Sequence, residues 1–360
     1  MDLDNQDLDM LFTKIKTVFD QFDEPLVGTP AIPESVKVSI CMITYNHAEF
    51  VSECLDNILK QKTNFDFEVV ISDDCSTDAT ADILRDFAIQ NPHLSRVYLH
   101  PFNLSQTYKK FTPGKLNFLY ALSRCTGEYI IFIEGDDYFC DENKLQKQVE
   151  FLDNHPEYSA CFHNALMKFE DNSGRNDYLI NPANQKSIIY SEDFLVEKET
   201  WFMATAAVMF RKSMIEKMPY WFAFSKSGDI PMYVILTEQA PIAYISDVMS
   251  VYRRHLAGLS YTDHTHDANF IENRIFMYSK INEFTRKKYK HLLHPILADY
   301  YKILADCKQN TNHSWRRFKA MIIALYYQKP KTKLEWKNFI KSLFTASVYT
   351  KIMKIKRFLF

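Results

Sequence analysis

The sequence predicts an α/β fold with a mostly parallel central sheet flanked by helices, an N-terminal helix and a helical C-terminal extension. Three observations predict it. From residue 36 onward, short apolar runs alternate with segments of helical periodicity, several of the runs end in polar or acidic residues, and from about residue 268 the pattern is helical. An alternating β-α-β-α order implies parallel strands joined by right-handed crossovers.

Taken in order, Leu8, Leu11, Ile15, Val18, Phe19 and Phe22 recur at helical spacing, and a Pro-rich linker follows at 25–33. Val38–Thr44 reads as the first strand. Residues 49–61 read as a helix with Val51, Cys54, Leu55, Ile58 and Leu59 on one face. A second strand at 67–72 leads to a helix over 78–90, with Ile83, Leu84, Phe87 and Ala88 on one side and a turn at 91–93. A third strand spans 96–100 and a helix spans 114–124. The fourth strand, 129–133, is an apolar run of the kind found in strands covered on both faces. Strand-like runs at 159–168, 205–210 and 247–253 extend the sheet. The implied organisation is a helix and linker at 1–35, a main domain at 36–265 and a basic helical extension at 266–360. Within the main domain, 36–155 and 156–265 read as two halves.

Composition excludes several classes. With 47% apolar residues and only seven glycines in 360, the chain is neither disordered nor fibrous. The uncharged run at 200–210 is too short to cross a bilayer, and the acidic N-terminus lacks the basic region of a signal peptide. A cytoplasmic location is expected, with peripheral attachment to the inner face of the cell membrane as an extension of it. Seven cysteines without a CxxC pair argue for reduced thiols rather than zinc or a disulfide framework. The net charge of −2 hides a polarity: residues 1–35 hold eight acids and two lysines, whereas 311–360 hold twelve Lys or Arg and one acid, Glu335. That tail reads either as helices lying on an anionic membrane or as the basic exterior of helices packed on the main domain. No nucleic-acid-binding motif accompanies the charge.

The fourth strand runs into Glu134, Asp136 and Asp137. Three carboxylates this close repel one another unless a cation or hydrogen bonds compensate. Hard oxygen ligands of this kind suit Mg2+ or Mn2+ shared with a diphosphate, while a solvated acidic turn would give the same cluster. The first strand ends in TYNH, residues 44–47, and the second in SDDCSTD, residues 72–78. Asp73 and Asp74 there can accept hydrogen bonds from a base or a ribose, and Ser76 or Thr77 can cap the next helix.

The segments SVKVSICMITYNHAEFVSECLDNIL, FEVVISDDCSTDAT and GEYIIFIEGDDYF, in that order, resemble the nucleotide-binding half of a family 2 glycosyltransferase with the GT-A fold, of the type that builds bacterial surface polysaccharide. The resemblance is clear over 36–155, fainter to 262 and absent at both ends. It implies inverting transfer of a sugar from a nucleotide-sugar, a UDP-sugar favoured, to a polysaccharide or lipid-linked saccharide hydroxyl, assisted by Mn2+ or Mg2+. Residue by residue, it implies that Thr44, Tyr45, Asn46, Asp73 and Asp74 line the nucleotide pocket, that Asp136 contacts the nucleotide and that Asp137 binds the metal. Lys115 and Asn117 match a segment near the donor. Asp229, preceded by Gly228 where the family more often has Glu, matches the catalytic base. Arg254 matches a diphosphate-facing position and His255 a metal ligand. Two alternatives remain: an inactive nucleotide-sugar-binding scaffold, and a sugar nucleotidyltransferase, for which a Gly-rich phosphate loop is lacking.

Overall fold

The computed structural model describes residues 15–16, 18–20, 24–109, 111–196, 201–216, 218–258, 267–307 and 314–343. These form two compact units, the first within 1–191, 201–224 and 228–261, the second within 192–200, 225–227 and 262–360.

The first unit is built on one sheet of β1 (Val38–Thr44), β2 (Phe67–Asp73), β3 (Ser95–Leu99), β4 (Tyr129–Glu134), β5 (Tyr138–Phe139), β6 (Ala160–Phe169), β7 (Tyr178–Leu179), β8 (Ile188–Ile189), β9 (Val208–Arg211) and β10 (Ile242–Arg254). Along its main path the order is β3-β2-β1-β4-β9-β6-β10-β5. Its helices are α1 (Val51–Leu59), α2 (Thr80–Gln90), the short α3 (Leu104–Thr107), α4 (Lys115–Arg124), α5 (Lys144–Asn154) and α6 (Asp229–Thr237).

β1 is buried on both faces because its two residue sets are both covered. Val38, Ile40 and Met42 join the core of Val69, Ile71, Ile131 and Ile133, while Ser39 on the other face donates to Glu68 at 2.6 Å. Each fully buried aliphatic side chain contributes about 1.5–3 kcal/mol. On α1 the buried residues are Val51, Cys54, Leu55 and Ile58; Leu59, expected on the same face, is 46% exposed, because it has turned past the apolar stripe.

The pairs β3-β2, β2-β1, β1-β4 and β6-β10 are parallel. β9 is inserted antiparallel between β4 and β6. Residues 205–207, read from the sequence as strand, form a short 3-10 turn before β9. Part of the expected linker is also structured: Leu26 bridges Tyr98, with Val27 N donating to Val97 O and Leu99 N to Pro25 O. The stretch thus covers the β3 edge, where unpaired amides would otherwise be left open. Of the expected N-terminal helix, Ile15, Val18 and Phe19 are helical and buried, while Leu8, Leu11 and Phe22 lie outside the described residues.

Strand order reverses at β1, with β2 on one side and β4 on the other. That switch point is where open α/β sheets bind ligands, beyond the strands' carboxyl ends. The ends are in register, Thr44 opposite Asp73 and Ile43 opposite Glu134. Gly135, the next residue, has no room for a side chain: a Cβ there would meet Thr44 Cγ2 at 2.7 Å and His47 Nδ1 at 2.9 Å. Its glycine lets the two loops close against each other.

The second unit is helical: α7 (Ala268–Phe284), α8 (Lys290–Asp306), α9 (Ser314–Tyr327) and α10 (Lys333–Ser342). Ile271, Ile275, Tyr278 and Ile281 of α7, Leu293 and Leu297 of α8, and Ala320 and Ala324 of α9 are buried. Segments 192–196 and 225–227 group with these helices although chain order sets them within the sheet domain. Among the described residues no helix is long and apolar enough to cross a membrane.

Candidate active site

The loops after β1 and β2 are stapled together by their own polar groups. Asp73 accepts from Thr44 Oγ1 at 2.8 Å, Ser76 N at 2.8 Å and Ser76 Oγ at 2.5 Å. Asn46, at φ 56, donates its amide to Ser76 Oγ and accepts from Thr77 N, each at 2.8 Å. Thr44 and Asp73 are buried, so their hydrogen-bonding capacity is spent within the loops; Tyr45, 41% exposed, is the residue here that presents a large side chain outward. Asp74 anchors the next segment, accepting from Leu104 N at 2.7 Å and Ser105 Oγ at 3.3 Å. Burial pushes its carboxyl up to about 6, against the lowering effect of those hydrogen bonds. Asn117 is a brace beneath the end of β2, with Ser72 Oγ at 2.6 Å and Ser72 O at 2.9 Å.

The acid cluster is built from two directions. Asp136 Oδ2 lies 3.0 Å from His255 Nε2, at the end of β10, and 3.9 Å from His47 Nε2, after β1. Burial would raise its carboxyl, but the His255 hydrogen bond and the nearby His47 outweigh it and hold the group below its usual value. Asp137 is more enclosed. Its Oδ1 accepts from Arg253 N at 2.9 Å, and burial followed by the charges of Asp136 and Glu134 holds its carboxyl well above the usual range. Glu134 is pushed up to about 8 by burial and by the charges of Asp136 and Asp229.

Arg253, not singled out from the sequence, holds this loop in place. Its guanidinium donates to Asp136 O at 3.0 Å, pairs with Glu53 and Glu170, and lies over the rings of Phe50 and Tyr138. Arg254, the neighbour that the sequence singled out, is half-buried. His47 was likewise missed, although TYNH contains it. A histidine at a strand end carries no sequence signal for which acid it will meet.

Asp229 opens α6 and is electrostatically coupled to both Glu134 and Lys115. Lys115 is buried with its ammonium 4.1 Å from the centre of the Phe222 ring, and it faces position 228, where a Cβ would stand 3.5 Å from Nζ. Burial lowers it to about 7, against the pull of Asp229. The candidate residues on the two halves of the unit therefore converge electrostatically.

These donors fit a divalent cation. Asp136 Oδ1 and Asp137 Oδ2 are buried without hydrogen-bond partners, an arrangement that a cation relieves. Among the described residues no cluster of three or more acidic, His or Cys side chains forms a metal cage. Mg2+ and Mn2+ sites of this class need only one or two protein ligands when phosphates supply the rest.

Known proteins share this architecture. An uncharacterized protein of Mycobacterium tuberculosis is 35% identical over 238 residues, covering 66% of this chain and 64% of that protein. The chain thus spans just under two-thirds of that relative's length. The poly(ribitol-phosphate) beta-N-acetylglucosaminyltransferase TarS of Staphylococcus aureus is 32% identical over 124 residues, 33% of this chain and 19% of TarS. The crystal structure of TarS residues 1–349 with UDP-GlcNAc matches with a TM-score of 0.53 at 19% identity, covering 81% of each chain, and thereby shows the GT-A fold. The family model for glycosyl transferase family 2 matches residues 39–218, which run from the second residue of β1 through β9 and include the stapled loops and the acid cluster, so the chain belongs to glycosyl transferase family 2.

Proposed function

We propose that the chain transfers a sugar from a UDP-sugar to a hydroxyl of a cell-wall polysaccharide, with inversion and with Mn2+ or Mg2+ as cofactor. The observation that carries this reading is the acid cluster at the switch point, where Asp136 and His255 meet beside two orphaned carboxylate oxygens. Family membership and the UDP-GlcNAc bound by TarS support the donor class, and the poly(ribitol-phosphate) in that relative's name supports a polymer acceptor.

In this reading Asp136 and His255 hold the cation, which the sequence assigned to Asp137 and His255. Asp137, fastened to the Arg253 amide, sets the loop. When bound, the cation offsets negative charge on the diphosphate as it leaves. Asp74 reads the base at the end of β2, Tyr45 and Asn46 border it, and Thr44 and Asp73 shape the loop. Lys115 and Arg254 face the donor phosphates. Asp229 accepts the proton of the incoming hydroxyl, and direct attack on the anomeric carbon inverts it.

A donor screen by thermal shift with UDP-, GDP- and dTDP-sugars, each with and without Mn2+, tests the reading. Stabilisation by UDP-sugars that requires the cation is expected; a ligand at a hundred times its Kd adds about 2.7 kcal/mol. No shift with any nucleotide-sugar in Mn2+ overturns it.

A further inference from the structure

The helices α9 and α10 carry a surface that the transfer reaction does not use. The inner side of α9 is buried at Ala320, Met321 and Ala324. Its outer stripe runs Trp315, Lys319, Ile322, Tyr326, spaced by four, three and four residues, which is one face of a helix. An outward face normally carries charge. Here Trp315 is 73% exposed, Ile322 42% and Tyr326 78%. On α10, Trp336 and Ile340 stand one turn apart, 41% and 50% exposed, and Leu334 is 66% exposed. Lys333, Lys337 and Lys341, each four residues from the next, make an adjoining cationic stripe.

Charge selects the partner. Residues 314–343 hold eight Lys or Arg and one acid, Glu335. That acid is engaged at the start of α10, accepting from Lys331 N at 2.7 Å while its own amide donates to Thr332 Oγ1 at 3.1 Å. The outward surface is therefore strongly cationic, with a single carboxylate as counter-charge. A soluble polyanion would use the lysines alone and leave Trp315, Ile322, Leu334 and Ile340 in water. Trp and Tyr have an apolar body with a polar edge and are suited to the headgroup boundary of a bilayer, with the aliphatic side chains beneath and the lysines at phosphate level.

We propose that the outward faces of α9 and α10 dock on an anionic phospholipid bilayer. Apolar insertion and attraction to the lipid phosphates act together, so binding depends on both. It is independent of the transfer reaction.

The test uses the full-length chain and vesicles of phosphatidylcholine with increasing phosphatidylglycerol. Co-sedimentation rises with phosphatidylglycerol, falls when salt is raised to about 0.5 M, where screening is short-ranged, and is accompanied by quenching of tryptophan emission by brominated lipid. Two double variants separate the components. Trp315→Ser with Tyr326→Ser, and Lys337→Glu with Lys341→Glu, each weaken vesicle binding at least about tenfold, the scale of a few lost interfacial side chains, while the donor-induced thermal shift is kept. Trp315→Phe with Trp336→Phe removes the lipid quenching. The proposal is overturned if the unmodified chain ignores these vesicles at low salt. It is also overturned if the serine variant binds them as the unmodified chain does while the glutamate variant loses both vesicles and soluble polyphosphate, which identifies a polyanion site instead.

Discussion

His255 Nε2 lies 3.0 Å from Asp136 Oδ2, joining positions 119 residues apart. The pair ties the end of β10 to the loop after β4, while Asp137 Oδ1 accepts from Arg253 N at 2.9 Å. Asp136→Asn and His255→Ala should each lower Mn2+-dependent UDP release by at least about a hundredfold, the scale of a lost electrostatic stabiliser. Asp137→Asn keeps an acceptor for the Arg253 amide and should cost less than about tenfold on the same scale. Steady-state rates over a range of Mn2+ decide it; the reverse ranking returns the cation to Asp137.

Lys115 gives a proton signature. Burial lowers its ammonium to about 7 from 10.5, so the unfolded chain binds more protons between those values, and stability rises as pH climbs from about 7 to about 10.5. An anionic donor beside Lys115 restores the charged form. Binding of a UDP-sugar at pH 8 should then take up a proton, and affinity should fall as pH rises further. Calorimetry in two buffers of different ionisation enthalpy measures the uptake. Lys115→Met should abolish it without lowering Tm at pH 7.5. Uptake unchanged in that variant removes Lys115 from the donor site.

Asp74 behaves in the opposite sense. Its folded carboxyl titrates at about 6 against an ordinary value of 3.8, so its contribution to stability declines as pH rises through that window. Asp74→Asn retains an acceptor for Leu104 N and removes a charge that is costly to bury. Its Tm at pH 7.5 should match or exceed that of the unmodified chain, while UDP affinity drops. Loss of Tm with unchanged UDP affinity makes Asp74 a loop anchor only.

The sheet's first half was legible because its strands are buried on both faces and bounded by polar ends; Val38–Thr44 matches residue for residue. The second half was not. Its strands pair out of chain order, and the antiparallel entry of β9 depends on tertiary packing that a local period cannot encode. Residues 25–27 look like linker because edge pairing uses backbone groups, which are the same for every side chain. The acids were legible as a cluster, but the partners that hold them were not. Asp136 meets His255 and Asp137 meets the Arg253 amide, each more than a hundred residues away in the chain.

The most direct test of the account is to compare UDP release and sugar transfer by the unmodified chain and by Asp229→Asn at matched donor saturation in Mn2+. Asp229 opens α6 and is coupled to Lys115 and Glu134. The account predicts cation-dependent UDP release with inversion at the anomeric carbon. In the variant, UDP affinity is retained and kcat falls by about a hundredfold or more, the span of general-base catalysis. An unmodified chain that binds UDP-sugar yet never releases UDP in the presence of hydroxyl acceptors, or a variant whose UDP affinity falls in step with its rate, would contradict it.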